Sequence, residues 1–279
     1  MLARCSRRKP SSVQILSAQF GWPEWSWWFD GRVVDLTHES FPRASSYDGD
    51  WLLSLDMGPN PLWLLEDLLG DVTIEPGARV LDLGCGSGAT SVFLAKELDV
   101  EVWAVDLWVP ADVIRATVDS AGLGDSVHVT NADVRSLPFD DSFFDAVISI
   151  DAWEYFGTDD HLLPQLLRVL RPGGSIGMAT PAMVRDVRDL GYIPEHIRMV
   201  VGWEALAWHS PGRWQQQWEL TDLVADIRAR AANTGWSDWL RWARAAAGDD
   251  GDNDAVVQML TADQGELLTF ALVSATKKS

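Results

Sequence analysis

Apolar positions along this chain follow two rhythms. Between residues 78 and 182, short apolar runs at 78–83, 100–105, 127–130, 144–150 and 175–179 alternate with helical stretches near 89–97, 110–121 and 160–170. Apolar runs of this length, separated by helices, predict strands buried on both faces and therefore a parallel sheet. The right-handed crossover rule turns that alternation into a doubly wound α/β domain. Upstream, Pro61-Leu62-Trp63-Leu64-Leu65-Glu66-Asp67-Leu68-Leu69 opens with proline at a first helical position and closes at Gly70. Residues 1 to 50 show no clear period. Beyond 182 the pattern changes. Residues 183–212 read as loop with some helix, 213–223 as helix, 224–231 as strand or helix, and 266–275 as a terminal strand. Residues 236–247 predict a helix with Trp236, Trp239, Leu240 and Ala243 on one face.

Composition narrows the function classes. The chain has 279 residues, 47% of them apolar, and 22 basic against 41 acidic side chains give a net charge of −19. That is globular composition, and its sign argues against a nucleic-acid partner, which needs a basic stripe to displace counterions. Arg4, Arg7, Arg8 and Lys9 form a short basic start, but no apolar run of secretory type follows, and no stretch is long enough to span a membrane. A cytoplasmic location is expected. Cys5 and Cys85 sit in unrelated contexts and make neither a disulfide framework nor a metal site. Asp249, Asp250, Asp252 and Asp254 lack the spacing and terminal Glu of a calcium loop, and read as a solvated turn. No metal is expected.

The chemistry-bearing motif lies in the α/β repeat. Val80-Leu81-Asp82-Leu83-Gly84-Cys85-Gly86-Ser87-Gly88-Ala89-Thr90-Ser91 ends a strand with a glycine-rich turn and opens a helix. Such glycines allow positive φ and close approach of a ligand to the backbone, and the helix start offers free N–H groups. Gly88 and Ala89 depart from the strict dinucleotide pattern, although the alanine variant of its last position leaves a nicotinamide reading formally open. Context decides against it. The second strand ends in Asp106, where an acid can bond ribose hydroxyls. Asn131-Ala132-Asp133-Val134 follows the third strand, Phe144 to Ile150 form the fourth, and Leu170-Arg171-Pro172-Gly173-Gly174 reads as a turn before the fifth.

This ordered set resembles the class I S-adenosylmethionine-dependent methyltransferases, closely over residues 60–182 and loosely elsewhere. Within them it looks most like the small-molecule branch of ubiquinone/menaquinone-biosynthesis, tocopherol and cyclopropane-synthase-like enzymes, in which a glycine-proline segment such as Met57-Gly58-Pro59 often precedes the first core helix. The resemblance implies a Rossmann-like, mainly parallel seven-stranded sheet with Trp-rich helical insertions, at 183–212 and 235–262 on the acceptor side. It implies a methyltransferase domain over 61–279 and an N-terminal segment, 1–60, forming part of a cap. It implies S-adenosylmethionine as cofactor: Asp82 toward the amino group, Gly84 and Gly86 against the methionine and ribose, Asp106 on the ribose hydroxyls, Leu107 against adenine, and Asp133 with the Val134 N–H at the adenine edge. Cys85 reads as a packing residue.

The expected reaction is in-line methyl transfer to a small-molecule acceptor, with alignment and water exclusion as the main tasks and a base only where the acceptor must lose a proton. Acceptor-side candidates follow the fourth strand: Asp151 first, then Trp153, Glu154, Tyr155 and His161. Capping is the competing role for Asp151, and surface duty for His161. His196 and His209 read as structural. The 16 Trp residues concentrate at 22–28 and 203–242; they suit either a core layer or a lid over the acceptor pocket, and their position outside the α/β repeat favours the lid. Competing functions are a methyltransferase-fold binding or assembly protein without turnover, and a cyclopropane-forming or cyclising enzyme.

Overall fold

The computed structural model describes residues 35–279. Trp22, Trp25, Trp27, Trp28 and the first part of the expected cap lie outside the described residues. Two short helices come first, α1 (Gly49–Ser54) and α2 (Pro61–Leu68). Asn60 caps α2 by accepting from the N–H groups of Leu62 and Trp63 at 3.0 and 3.2 Å, and Pro61 occupies the first turn, as the sequence predicts.

The repeat then runs β1 (Arg79–Leu83), α3 (Ala89–Leu98), β2 (Glu101–Asp106), α4 (Ala111–Ser120), β3 (Val127–Asn131), β4 (Phe144–Ile150), α5 (Leu162–Leu166) and β5 (Leu170–Met183). After β5 come α6 (Val187–Leu190), α7 (Glu195–Val201), a 3-10 turn over Gly202–Leu206, α8 (Pro211–Thr221) and β6 (Val224–Ala231). Then α9 (Gly235–Ala247) and α10 (Ala255–Asp263) precede β7 (Leu268–Lys277). The seven strands form one sheet in the order β3-β2-β1-β4-β5-β7-β6. β1 to β5 run parallel, and β7 is antiparallel to both β5 and β6. This is the doubly wound fold that the alternation predicted.

Strand alternation sends neighbouring residues to opposite faces. Val80 and Ile148 join a core layer with Leu62, Leu65, Phe93 and Trp242, while Leu81 and Val147 join another with Leu163, Leu166, Trp214 and Trp218. Leu36, Phe41, Ala44, Leu52 and Leu53 also enter the first layer, so the described part of residues 1–60 shares the core of the domain.

Three sequence expectations change. β5 begins at Leu170, because Pro172-Gly173-Gly174 form an irregular strand opening against β4 rather than a turn before it. A Cβ on Gly174 would stand 2.8 Å from the Asp145 carbonyl, so this close approach demands glycine. The helix expected over 160–170 shrinks to α5 as a result. The third change concerns tryptophan: Trp208, Trp214, Trp218, Trp239 and Trp242 are buried core, and Trp203 alone of the set 203–242 is largely exposed, at 84%. Trp214 and Trp218, one helical turn apart on α8, cover one face of the sheet, and Trp153 meets Trp218 at 5.5 Å. Trp239 and Trp242 on α9 cover the other face, against Trp208 at 5.7 Å and Trp63 at 6.2 Å respectively. The rings are structural because the β5-β7-β6 half of the sheet needs bulky cover on both sides. Gly248–Asn253 form a 3-10 turn, and Asp254 caps α10. Among the described residues, no helix is long and apolar enough to cross a membrane.

Candidate active site at the carboxyl edge of the sheet

The strand order reverses between β1 and β4, and in open α/β sheets such a switch point leaves a crevice beyond the carboxyl ends of the strands. Every cofactor candidate of the sequence reading falls at the carboxyl ends of β1, β2 and β3, except Asp82, which lies within β1.

The turn after β1 is held from below and from the side. The N–H groups of Gly84 and Cys85 donate to the Val105 carbonyl at 2.8 and 3.2 Å, while Gly84 and Gly86 take φ of 73° and 53°. A Cβ on Gly84 would stand 2.4 Å from Ala152 Cβ; one on Gly86 would meet the Met57 sulfur at 3.2 Å. Asp106 ties this turn to the loop after β2. Its Oδ2 accepts from the Gly86 N–H at 2.9 Å, and its Oδ1 accepts from Trp108 and Val109 at 2.7 and 2.8 Å. Asn131 braces the same loop, donating to the Asp106 and Val109 carbonyls at 3.0 and 2.6 Å.

Asp82 is fully buried. Its Oδ2 accepts from the hydroxyls of Thr90 and Ser91 at 2.7 and 2.5 Å, and its Oδ1 has no hydrogen-bond partner. Burial pushes its pKa up to about 6, against the pull of those two hydroxyls. A buried carboxylate oxygen without a donor is costly unless a ligand supplies one. Asp133 instead faces its own turn, accepting from the Arg135 N–H at 2.9 Å and pairing with the Arg135 guanidinium at 3.3 Å, with Val134 buried beside it.

The loop after β4 gathers carboxyls. Asp151 adopts φ of 53°, a left-handed conformation unusual outside glycine, while its N–H donates to the Ala179 carbonyl at 2.8 Å. Its carboxylate lies so close to Gly58 that a Cβ there would stand 2.2 Å from Oδ2. Burial raises the Asp151 pKa well above the usual carboxylate range, and the negative neighbours Glu154, Asp56 and Glu204 raise it further. Glu154 is buried, accepts from the Thr180 hydroxyl, and is pushed up to about 7 by burial. Tyr155 joins them, its phenol raised by burial and then by Glu154 and Asp151. His161 does not: it is exposed at the start of α5, its N–H bonded to Asp159. His209 pairs with Asp186 at 3.3 Å and His196 with Asp263 at 3.2 Å, both in structural roles.

Sequence reasoning missed Asp56 and Glu204. Asp56 accepts from the Trp242 indole N–H at 2.7 Å, and burial lifts its pKa to about 6. Its neighbour Met57 was marked by the Met57-Gly58-Pro59 segment, but nothing local marks Glu204, which arrives on the 3-10 turn after α7. The rim is apolar and open: Met57, Leu107, Trp108 and Tyr155 are 48%, 53%, 40% and 36% exposed around the turn.

Residues 80–174 match the family model described as a methyltransferase domain. The chain is 32% identical over 127 residues to methyltransferase GfsG of Streptomyces halstedii, a match covering 45% of each chain. It is 31% identical over 139 residues to 27-O-demethylrifamycin SV methyltransferase of Amycolatopsis mediterranei, covering 49% of this chain and 51% of that one. The matches thus span about half the length of these curated relatives. In fold it is similar to phosphoethanolamine N-methyltransferase 2 of Haemonchus contortus in complex with S-adenosyl-L-methionine, with a TM-score of 0.68 at 18% identity over 85% of this chain and 57% of that one. Residues 80–174 thus match a methyltransferase domain, and the sheet that carries them has the fold of a structure solved with S-adenosyl-L-methionine.

Proposed function

We propose that the chain transfers the methyl group of S-adenosylmethionine to a small-molecule acceptor held beside the carboxyl end of β4. The observation that carries this reading is the glycine turn at the switch point. It is flanked by Asp106, which fastens it, and by Asp82, whose buried Oδ1 has no donor in the protein. These residues fit the cofactor. Asp82 Oδ1 supplies an acceptor for its amino group, Gly84 and Gly86 leave room for its methionine and ribose, and Asp106 keeps lone pairs toward the ribose hydroxyls. Leu107, 53% exposed, offers an apolar face to adenine, and Asp133, fastened to Arg135, sets the Val134 N–H at the base edge. The bound cofactor supplies an electrophilic methyl group on a positively charged sulfur.

The protein's own residues then align and shield. Asp151, at the end of β4 with its carboxyl against Gly58, is placed to take up the proton of an acceptor that must lose one. The Tyr155 hydroxyl stays protonated and orients the acceptor as a donor. The test has two parts: calorimetric titration with S-adenosylhomocysteine, and transfer of labelled methyl from S-adenosylmethionine to a panel of small amines, phenols and carboxylic acids. Binding together with release of S-adenosylhomocysteine is expected. No binding at millimolar cofactor would overturn the proposal.

A further inference from the structure

The loops after β2 and β4 meet through an aromatic contact. The rings of Trp108 and Tyr155 meet edge to face, their centroids 4.9 Å apart at 70°. Trp108 lies two residues beyond the end of β2, and Tyr155 five beyond the end of β4. In the sheet β1 runs between those two strands, so neighbours spaced about 4.8 Å leave β2 and β4 about 10 Å apart. A contact between the loops that follow them therefore passes over whatever follows β1, which is the Gly84-Cys85-Gly86 turn.

Both ends of the contact are anchored where the cofactor residues are. The Trp108 N–H is bonded to Asp106 Oδ1, whose partner oxygen holds Gly86. Tyr155 follows Asp151 and the buried Glu154, and its own N–H is bonded to the Ala152 carbonyl. Neither ring contributes to the core clusters, and both expose more than a third of their surface.

We propose that Trp108 and Tyr155 form an aromatic strap across the cofactor trough, which parts to admit and release S-adenosylmethionine and closes to keep water from the reacting centre. This rests on the proposed function. An edge-to-face pair contributes enough for its loss to quicken exchange about two- to tenfold. Because the strap is one contact between two rings, removing either ring removes all of it.

The experiment measures release of tritiated S-adenosylmethionine from the full chain during a chase with excess S-adenosylhomocysteine. Trp108→Ala and Tyr155→Ala are each expected to speed release two- to tenfold, the double variant no more than the faster single one, and Tyr155→Phe not at all. Both rings lie more than a third exposed and outside the core clusters, so all four variants should fold and melt within about 4 °C of the parent. Unchanged release in either alanine variant would overturn the strap, and so would effects that multiply in the double variant, since independent contacts with the cofactor behave that way. Failure of the parent chain to retain labelled cofactor would instead overturn the proposed function, and the strap with it.

Discussion

Replacing Glu154 by glutamine should stabilise the protein above neutral pH and leave it unchanged in acid. Glu154 is buried with its carboxyl accepting from the Thr180 hydroxyl, and its pKa stands at about 7 against an ordinary 4.5. Burial is the main cause, with Glu204 adding to it. Holding it ionised in place therefore costs about 3 kcal/mol relative to water. Between pH 4.5 and 7 the folded protein binds more protons at this site than the unfolded chain does, so unfolding free energy falls as pH rises through that window. The favourable contribution is complete below 4.5 and lost above 7. Glutamine keeps an oxygen for Thr180 but cannot ionise, and it lifts one negative charge from Asp151. Urea unfolding at pH 4.5, 6, 7 and 8, followed by tryptophan fluorescence and circular dichroism, should show a stability gap of about 0 at the acid end. At pH 8 the variant should lead by about 1–3 kcal/mol. A gap independent of pH, or a variant less stable than the parent at pH 8, would refute the argument from burial.

Other substitutions probe the remaining parts of the site. Asp106→Ala removes acceptors from the N–H groups of Gly86, Trp108 and Val109, so calorimetry should show S-adenosylhomocysteine binding weakened at least tenfold, and unfolding should show a loss of about 1–3 kcal/mol. Gly84→Ala should damage folding far more than Gly86→Ala, because the new Cβ would meet Ala152 at 2.4 Å in one case and a movable Met57 sulfur at 3.2 Å in the other; melting temperatures of the two variants decide this. Trp214→Ala and Trp218→Ala should each cost about 3–5 kcal/mol, whereas Trp203→Ala should fall within about 0.5 kcal/mol of the parent. Hydrogen exchange should find α8 and α9 already protected without ligand; protection that appears only with cofactor would restore the lid.

The α/β half of the fold was legible because each strand there is apolar on both faces and each helix is separated from it by a turn signal. β1, β2 and β3 appear within one residue of their expected limits, and β4 at them. The fifth strand was misjudged at its start because Pro172, Gly173 and Gly174 are the residues of a turn, and only the pairing of Leu170 with Phe144 and of Ser175 with Ala146 on either side carries them into the strand. The tryptophans misled for a related reason. An apolar helical face looks the same whether it packs permanently on a sheet or transiently on a ligand, and α8 and α9 turned out to complete the cover of β6 and β7. The glycine turn and its two acids were readable as an ordered motif. The carboxyl cluster was only half readable, since Asp56, Asp151 and Glu204 come from three distant segments that meet only in the folded chain.

The two edges of the sheet treat aspartate in opposite ways, and that contrast locates the site without any motif. At the amino edge, Asp145 pairs with Arg171 at 2.5 Å and accepts from the Arg79 N–H at 2.8 Å, and Asp141 pairs with Arg168 at 2.6 Å. These are the ordinary arrangements of partly solvated charge, and they ask for nothing more. At the carboxyl edge, Asp56, Asp82, Asp151 and Glu154 form no ion pair among the described residues, and burial raises the pKa of all four. One carboxylate oxygen there has no donor, and one aspartate backbone is left-handed. Each of these features weakens the folded state, by desolvation, by an unmade hydrogen bond or by local strain. Concentrated on one edge beside a glycine turn, they are offset only when something positively charged and rich in donors occupies the crevice. A sulfonium that also carries an ammonium and two ribose hydroxyls is such an occupant, so under the proposed function what these groups cost the fold is returned as affinity for the cofactor.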